Sequence, residues 1–323
     1  MKSAAVDIGS MGCRLLIVDG DSGVRIRRSV DTTMGGAGPL SNGHRKAEAI
    51  SDDALGRVAD VLAGFCAIIN EYGVESVCAV ATESARRATN FGDLNALVMK
   101  TLGVPLRLLD GDEEARLSFL GVCTDPSIVA DADKVVVLDI GGGSIEVVIG
   151  VRGDDGQLAP TQLCSLALSS MMLSRQYLHS DPPKPEELSA ALSVVELYVD
   201  DLRRHLPQLG EVLAHPNTVV VGTGAIGTIA AVEVGVDESP LDGIGDGPLH
   251  AMVMKRNAVE EVFRTLATES RADRAHNPGL PPSRVDFIVG GCVVLVEIMR
   301  QLGLESITVA KRGLADGVVH SQL

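Results

Sequence analysis

Two stretches of this chain read alike: VDIGSMGCRLLIV at 6–18 and LDIGGGSIEVVIG at 138–150. Set over one another, they align Asp7 with Asp139, Gly9 with Gly141, Gly12 with Ser144 and Arg14 with Glu146. Each is an apolar strand ending in aspartate, then a glycine turn, then a second apolar strand. A repeat with a period of one whole domain points to duplication and not to a solenoid of short units. It predicts two similar α/β lobes, each opening on such a hairpin, with a ligand clamped between them.

The rest of the pattern fills in both lobes. The first reads as strands at 3–8, 13–18 and 24–30, then a helix at 51–71 with Leu55, Val58, Leu62, Phe65 and Ile69 on one face. A strand in ESVCAVAT, one or two helices over 84–102, a strand in VPLRLLD and a helix in DEEARLSFLGV follow. The second runs from KVVVLDI through an edge strand near 161–167, a helix at 186–206 and the strand and turn TVVVGTGAIGTIAAV at 218–232. RVDFIVGG reads as strand-like, and SITVA as a final strand before a short closing helix. These readings predict lobes at 1–125 and 126–304, with 305–323 completing the first. The glycine-rich segment 236–249 is expected to move. Hydrophobic residues are 46% of the chain but aromatic ones only 2%, so the core must be aliphatic.

A formal net charge of −15 argues against a broad nucleic-acid-binding face. A polyanion would need a local pocket or a bridging cation. The six cysteines show no CxxC spacing and read as free thiols of a reducing compartment. The N-terminus enters a strand without a signal-peptide pattern. The most apolar run, FIVGGCVVLV, stops at Glu297 and is too short to cross a bilayer. A cytoplasmic protein without a membrane or nucleic-acid partner is the expectation.

Glycine turns present successive backbone N–H groups to phosphate oxygens, and three candidates occur: the two hairpins and GTG at 222–224. Each also admits a plain packing explanation, as a tight turn or a close strand–helix approach. Asp7 and Asp139 could accept their own turn's N–H groups or ligate a hard cation such as Mg²⁺. Glu146 shares a strand face with Ser144, and a carboxylate on a valine-rich strand is costly unless paired or metal-bound. Asp112, Glu113 and Glu114 suit a helix N-terminus, while a glutamate beside a phosphoryl group could activate water. None of the seven histidines sits in these turns. His44, His179, His205, His215 and His276 read as solvated, and His250 is open.

The constellation resembles the exopolyphosphatase/guanosine pentaphosphate phosphohydrolase family of the actin/sugar-kinase/Hsp70-like superfamily. The resemblance rests on VDIGSMGCRLLIVD, ATESARRATN (81–90), GDEEARLSFLGV (111–122), VVVLDIGGGSIEVVIG, SLALSSMML (165–173), GTGAIGT (222–228) and SRVDFIVGG (283–291). It implies a duplicated ribonuclease-H-like fold with its active site in the interdomain cleft. It also implies Mg²⁺-assisted release of terminal phosphate from polyphosphate or from pppGpp, and a homodimer. By motif position Glu114 would be the catalytic base. Asp139 and Glu146 would hold the metal, with Asp7 a further candidate. Gly9, Ser10, Thr82, Arg86, Gly141, Gly142, Gly143, Ser144, Gly222, Thr223 and Gly224 would bind phosphate.

The chain also departs from that family's pattern. An expected Asn-Ser is Met11-Gly12, and arginines are replaced by Thr33 and Met172. A serine is Glu83, an aspartate is Arg87, a glycine is Ser169 and an acidic residue is Lys311. Losing two arginines and gaining Glu83 should weaken anion binding. Three functional readings therefore stand: a phosphohydrolase, a weakly active or non-catalytic binder of phosphorylated ligands or a partner, and an ATP-dependent kinase. GxEEAR speaks against the kinase.

Overall fold

The computed structural model describes residues 1–32, 40–41, 44–45, 48–236 and 245–322. Thr33, the side chain of His44 and most of the 236–249 segment fall outside that set.

The strands are β1 (Lys2–Ile8), β2 (Gly12–Asp19), β3 (Arg25–Asp31), β4 (Leu40–Ser41), β5 (His44–Arg45), β6 (Ser76–Ala81), β7 (Leu106–Leu108), β8 (Lys134–Ile140), β9 (Ile145–Arg152), β10 (Leu158–Leu166), β11 (Thr218–Gly224), β12 (Val253–Lys255) and β13 (Ser306–Val309). The helices before the second hairpin are α1 (Asp52–Glu71), α2 (Glu83–Arg87), α3 (Phe91–Leu102), α4 (Gly111–Cys123) and α5 (Pro126–Val129). After it come α6 (Ser170–Tyr177), α7 (Pro185–His205), α8 (Leu209–Leu213), α9 (Ala225–Val234), α10 (Arg256–Thr268), α11 (Arg271–Arg274), α12 (Ile288–Gln301) and α13 (Leu314–His320).

A five-stranded sheet has the order β3-β2-β1-β6-β7, a six-stranded sheet the order β10-β9-β8-β11-β13-β12, and β4 and β5 form a two-stranded one. In each of the two larger sheets, three antiparallel strands are followed by two parallel ones, and the second sheet adds β12 at its edge. The duplication read from two short stretches therefore extends to whole sheets: the fold is the expected duplicated ribonuclease-H-like one.

Local chemistry explains the elements. Helix α1 starts at Ser51, whose side chain accepts the N–H of Ala54, and buries Val58, Leu62, Phe65 and Ile69 against the first sheet. Helix α4 starts at Asp110, which accepts the N–H of Glu113 at 2.8 Å.

Two expectations need correcting. RVDFIVGG is not a strand: Pro282–Arg284 form a 3₁₀ turn and α12 begins at Ile288. Every residue from Ile288 to Met299 is buried, and an apolar run buried on all sides looks alike as strand or helix. Segment 305–323 also does not join the first lobe as a block. Its strand, β13, pairs with β11 in the second sheet, while α13 packs on α4, β1 and β2. Conversely, α4 precedes the second hairpin but sets Ala115, Phe119 and Val122 against Val135, Val137 and Val148 of the second sheet. The two lobes thus exchange helices at their junction. Glycines permit the α4–α13 crossing: a Cβ on Gly121 would overlap Gly313 O, and one on Gly317 would overlap Leu117 O.

Candidate active site

The two hairpins have the same backbone. Gly9 N donates to Gly12 O and Gly141 N to Ser144 O, both at 3.0 Å. In the first hairpin Asp7 lies directly across from Arg14; in the second, Asp139 lies across from Glu146. The turns face each other across the cleft. A Cβ on Gly142 would stand 2.5 Å from Met11 Cγ, and one on Gly143 would stand 2.6 Å from Ser10 Oγ.

The charge balance differs between the hairpins. Arg14 Nη1 donates to Asp7 Oδ2 at 3.0 Å, so the first hairpin's carboxylate is neutralised. Burial nonetheless pushes the Asp7 carboxyl up, against the opposing pull of Arg14. Its Oδ1 is buried without a hydrogen-bond partner. In the second hairpin two carboxylates sit side by side and no cation takes Arg14's place. Ser118 Oγ donates to Asp139 Oδ2 and Ser165 Oγ to Glu146 Oε1, each at 2.9 Å. Glu146 is held well above the ordinary carboxylate range, first by burial and then by the charges of Glu114 and Asp139.

Helix α4 carries Glu114 into the same cleft in its first turn. It is 8% exposed, and burial pushes its carboxyl up to about 7 in spite of the Arg86 guanidinium 2.8 Å away. A carboxyl tuned near neutrality suits a general base.

Asp139 and Glu146 offer the carboxylate oxygens that a hard divalent cation takes. Two adjacent carboxylates, with an orphaned Asp7 oxygen nearby, concentrate buried negative charge that a cation would relieve. Asp139 and Glu146 would hold it, with Asp7 close by and water filling the remaining positions. Bound there, it would supply positive charge against the phosphoryl oxygens.

The cleft is lined by Asp7, Gly9, Ser10, Thr82, Glu114, Asp139, Gly141, Gly142, Gly143, Ser144, Glu146 and Gly224 from the expected set. Thr223 faces an adjoining cavity, its hydroxyl buried and unpartnered. Gly222 does not line the cleft. A Cβ there would run into Ile226 and Ile307, so this glycine serves helix and strand packing. Gly224 does serve the site: φ is +70°, and a Cβ would stand 2.7 Å from Asp139 Oδ1. Ser10 is hydrogen-bonded to Ser84. Arg86, expected on phosphate, donates instead to Glu83, Glu114 and Leu109 O.

Other residues join the site in the structure. Ser118 lies one helical turn after Glu114, a spacing that puts both on one face and was legible in advance. Ser165 reaches Glu146 through strand register alone. Arg14, Arg27, Arg28, Arg284, Lys311 and Arg312 contribute to a cavity of about 180 Å³ that adjoins the cleft. The departures also find places: Ser169 caps α6 by accepting the N–H of Met172, and Met172 is fully buried in the second-lobe core.

Asp125, Asp246 and His250 form the one set of acidic or histidine groups with ligand atoms within 4.8 Å of one another among the described residues. It is balanced without an ion. His250 Nε2 bonds Asp125, its Nδ1 accepts from Lys311 N at 3.1 Å, and Asp246 pairs with Arg27 and Arg312.

The profile of the Ppx/GppA phosphatase family matches residues 36–323. A Mycobacterium tuberculosis protein named exopolyphosphatase 2 is 28% identical, over 99% of this chain and 98% of that protein. An Aquifex aeolicus PPX-GPPA enzyme is 25% identical with a TM-score of 0.75, covering 99% of both chains. An exopolyphosphatase from Cytophaga hutchinsonii has a TM-score of 0.81 at 21% identity, over 100% of this chain and 97% of its own.

Proposed function

Because the chain belongs to the Ppx/GppA phosphatase family, we propose that it is a divalent-cation-dependent phosphohydrolase releasing terminal phosphate from short inorganic polyphosphate. The observation that carries this reading is the contrast between two equivalent hairpins. One has an internal Asp7–Arg14 pair; the other has Asp139 beside Glu146 and faces Glu114 across the cleft. Glycine N–H groups would receive the phosphoryl oxygens, the cation would balance their charge, and Glu114 would orient and deprotonate the attacking water.

The adjoining cavity supports an inorganic chain over pppGpp. Its six basic residues outnumber the four aspartates that share the lining, which suits phosphate, and about 180 Å³ is below the ~300–1,000 Å³ of sites that engulf drug-sized ligands. The test is phosphate release by purified protein with Mg²⁺ from tripolyphosphate, longer chains, pppGpp and ATP. Release from tripolyphosphate that Glu114→Gln abolishes supports the proposal; release unchanged by that substitution removes Glu114 as the base.

One observation favours a second reading, ligand binding with little turnover: Met11 reaches across the cleft onto Gly142, and Ser170 Oγ contacts its sulfur at 3.9 Å. Tripolyphosphate binding without release under any divalent metal would select that reading.

A further inference from the structure

Arg86 stands behind the first-lobe wall of the cleft, bonded to Glu83 and Glu114, which both line it. A guanidinium has five N–H donors, and four of these are engaged. Nη1 donates to Leu109 O at 2.7 Å and to Glu114 Oε2 at 2.8 Å; Nε donates to Glu83 Oε2 at 3.0 Å, and Nη2 lies 2.9 Å from that same oxygen. Nε and Nη2 together are the fork that would otherwise grip a phosphate or carboxylate. Glu83 has closed it.

Glu83 is itself part of the cleft lining, and its Cβ would stand 2.8 Å from a Cβ placed on Gly143. It therefore sits where the first lobe meets the glycine turn of the second. Arg86 shares its one positive charge between two carboxylates, so little of it is left for an incoming anion. Its second carboxylate oxygen lies 3.7 Å from Arg87 Nη1, which steadies Glu83 in this position.

We infer that Glu83 is a positioning residue that sets the cleft's affinity for phosphorylated ligands: it withdraws the Arg86 fork from phosphate and turns the guanidinium onto Glu114. This rests on the proposed phosphohydrolase reading for the identity of the ligand. The geometry that argues for it is independent of turnover. A shorter, uncharged side chain at 83 cannot reach Arg86 and would release the fork toward the cleft.

The test is calorimetric binding of a non-hydrolysable imido analogue of tripolyphosphate, with Mg²⁺, to wild type, Glu83→Ser, Arg86→Gln and the double variant. Glu83→Ser should bind on the order of tenfold tighter, the worth of one charge-assisted hydrogen bond. The gain should vanish in the double variant, because it acts through Arg86. Unchanged or weaker binding by Glu83→Ser overturns the inference. So does a gain that survives in the double variant, which would show only the loss of a negative charge. Glu83→Gln keeps the size of the side chain and should show a smaller gain of the same sign; it carries the test if the serine variant does not fold. With tripolyphosphate as substrate, KM should fall in Glu83→Ser without a matching rise in kcat. If no variant releases phosphate, the hydrolase proposal fails while the binding comparison still decides the role of Glu83.

Discussion

At the scale of single residues, the site is governed by where negative charge is left uncompensated. Glu114 has its carboxyl pushed up to about 7 by burial, and as a base it must be ionised. Activity should therefore fall about tenfold per pH unit below about 7 and level off above it, as a pH–rate profile of kcat/KM will show. Glu114→Gln should lower kcat by roughly 10²–10⁴-fold, with thermal unfolding confirming that the fold is kept. The sequence singled out Glu114, Asp139 and Glu146, which line one cleft, because their motifs are local. It misled on Arg86 and Gly222: a guanidinium's partners and the space beside a glycine depend on elements distant in the chain.

At the scale of elements, the α4–α13 crossing is the tightest helix contact and the place where the lobes exchange helices. Gly121→Ala or Gly317→Ala would drive a methyl group into backbone carbonyls. Each should destabilise by about 1–3 kcal/mol or more, seen as a drop of several degrees in Tm. Nothing in the sequence singles out these two glycines, since their partners are more than a hundred positions away. A second junction ties β3 to the second lobe. Gly245 N donates to Arg25 O at 3.0 Å, and Arg27 Nη2 reaches Asp246 at 2.6 Å; the same Nη2 lies 2.8 Å from Asp316 of α13, on the first sheet's side. Arg27→Gln would leave the buried Asp316 with one cation fewer. The expected loss is on the order of 3 kcal/mol in denaturant unfolding, together with a larger radius of gyration in solution scattering.

For the whole molecule, the cleft links stability to pH and to divalent cations. Asp7, Glu114 and Glu146 all have carboxyls raised by burial. Between the unfolded value and the folded one, the native state holds protons that the unfolded chain has released. Stability is thus full below the unfolded value and is lost as pH rises through the folded one. For Glu114 that window runs from 4.5 to about 7 and represents on the order of 3 kcal/mol. In chelator the protein should melt lower at pH 8 than at pH 5, by several degrees. Mg²⁺ should raise Tm more at pH 8 than at pH 5, where protons compete for Glu114 and Glu146. A Tm that rises with pH in chelator, or a Mg²⁺ effect equal at both pH values, would contradict this account.

The sequence by itself determined the duplication, the aliphatic composition of both cores and the paired hairpins. Strand alternation and glycine turns are written in consecutive residues, and a repeated motif needs no neighbour to be seen. It also carried the identities of the acidic residues. Only the tertiary structure decided which carboxylates are compensated. Arg14 answers Asp7 across a hairpin, whereas Glu83 answers Arg86 beside a turn from the other lobe. The closing segment is likewise divided between two sheets by pairing and packing that no local pattern encodes. Burial and long-range pairing set charge balance in the cleft, and both are properties of the folded chain.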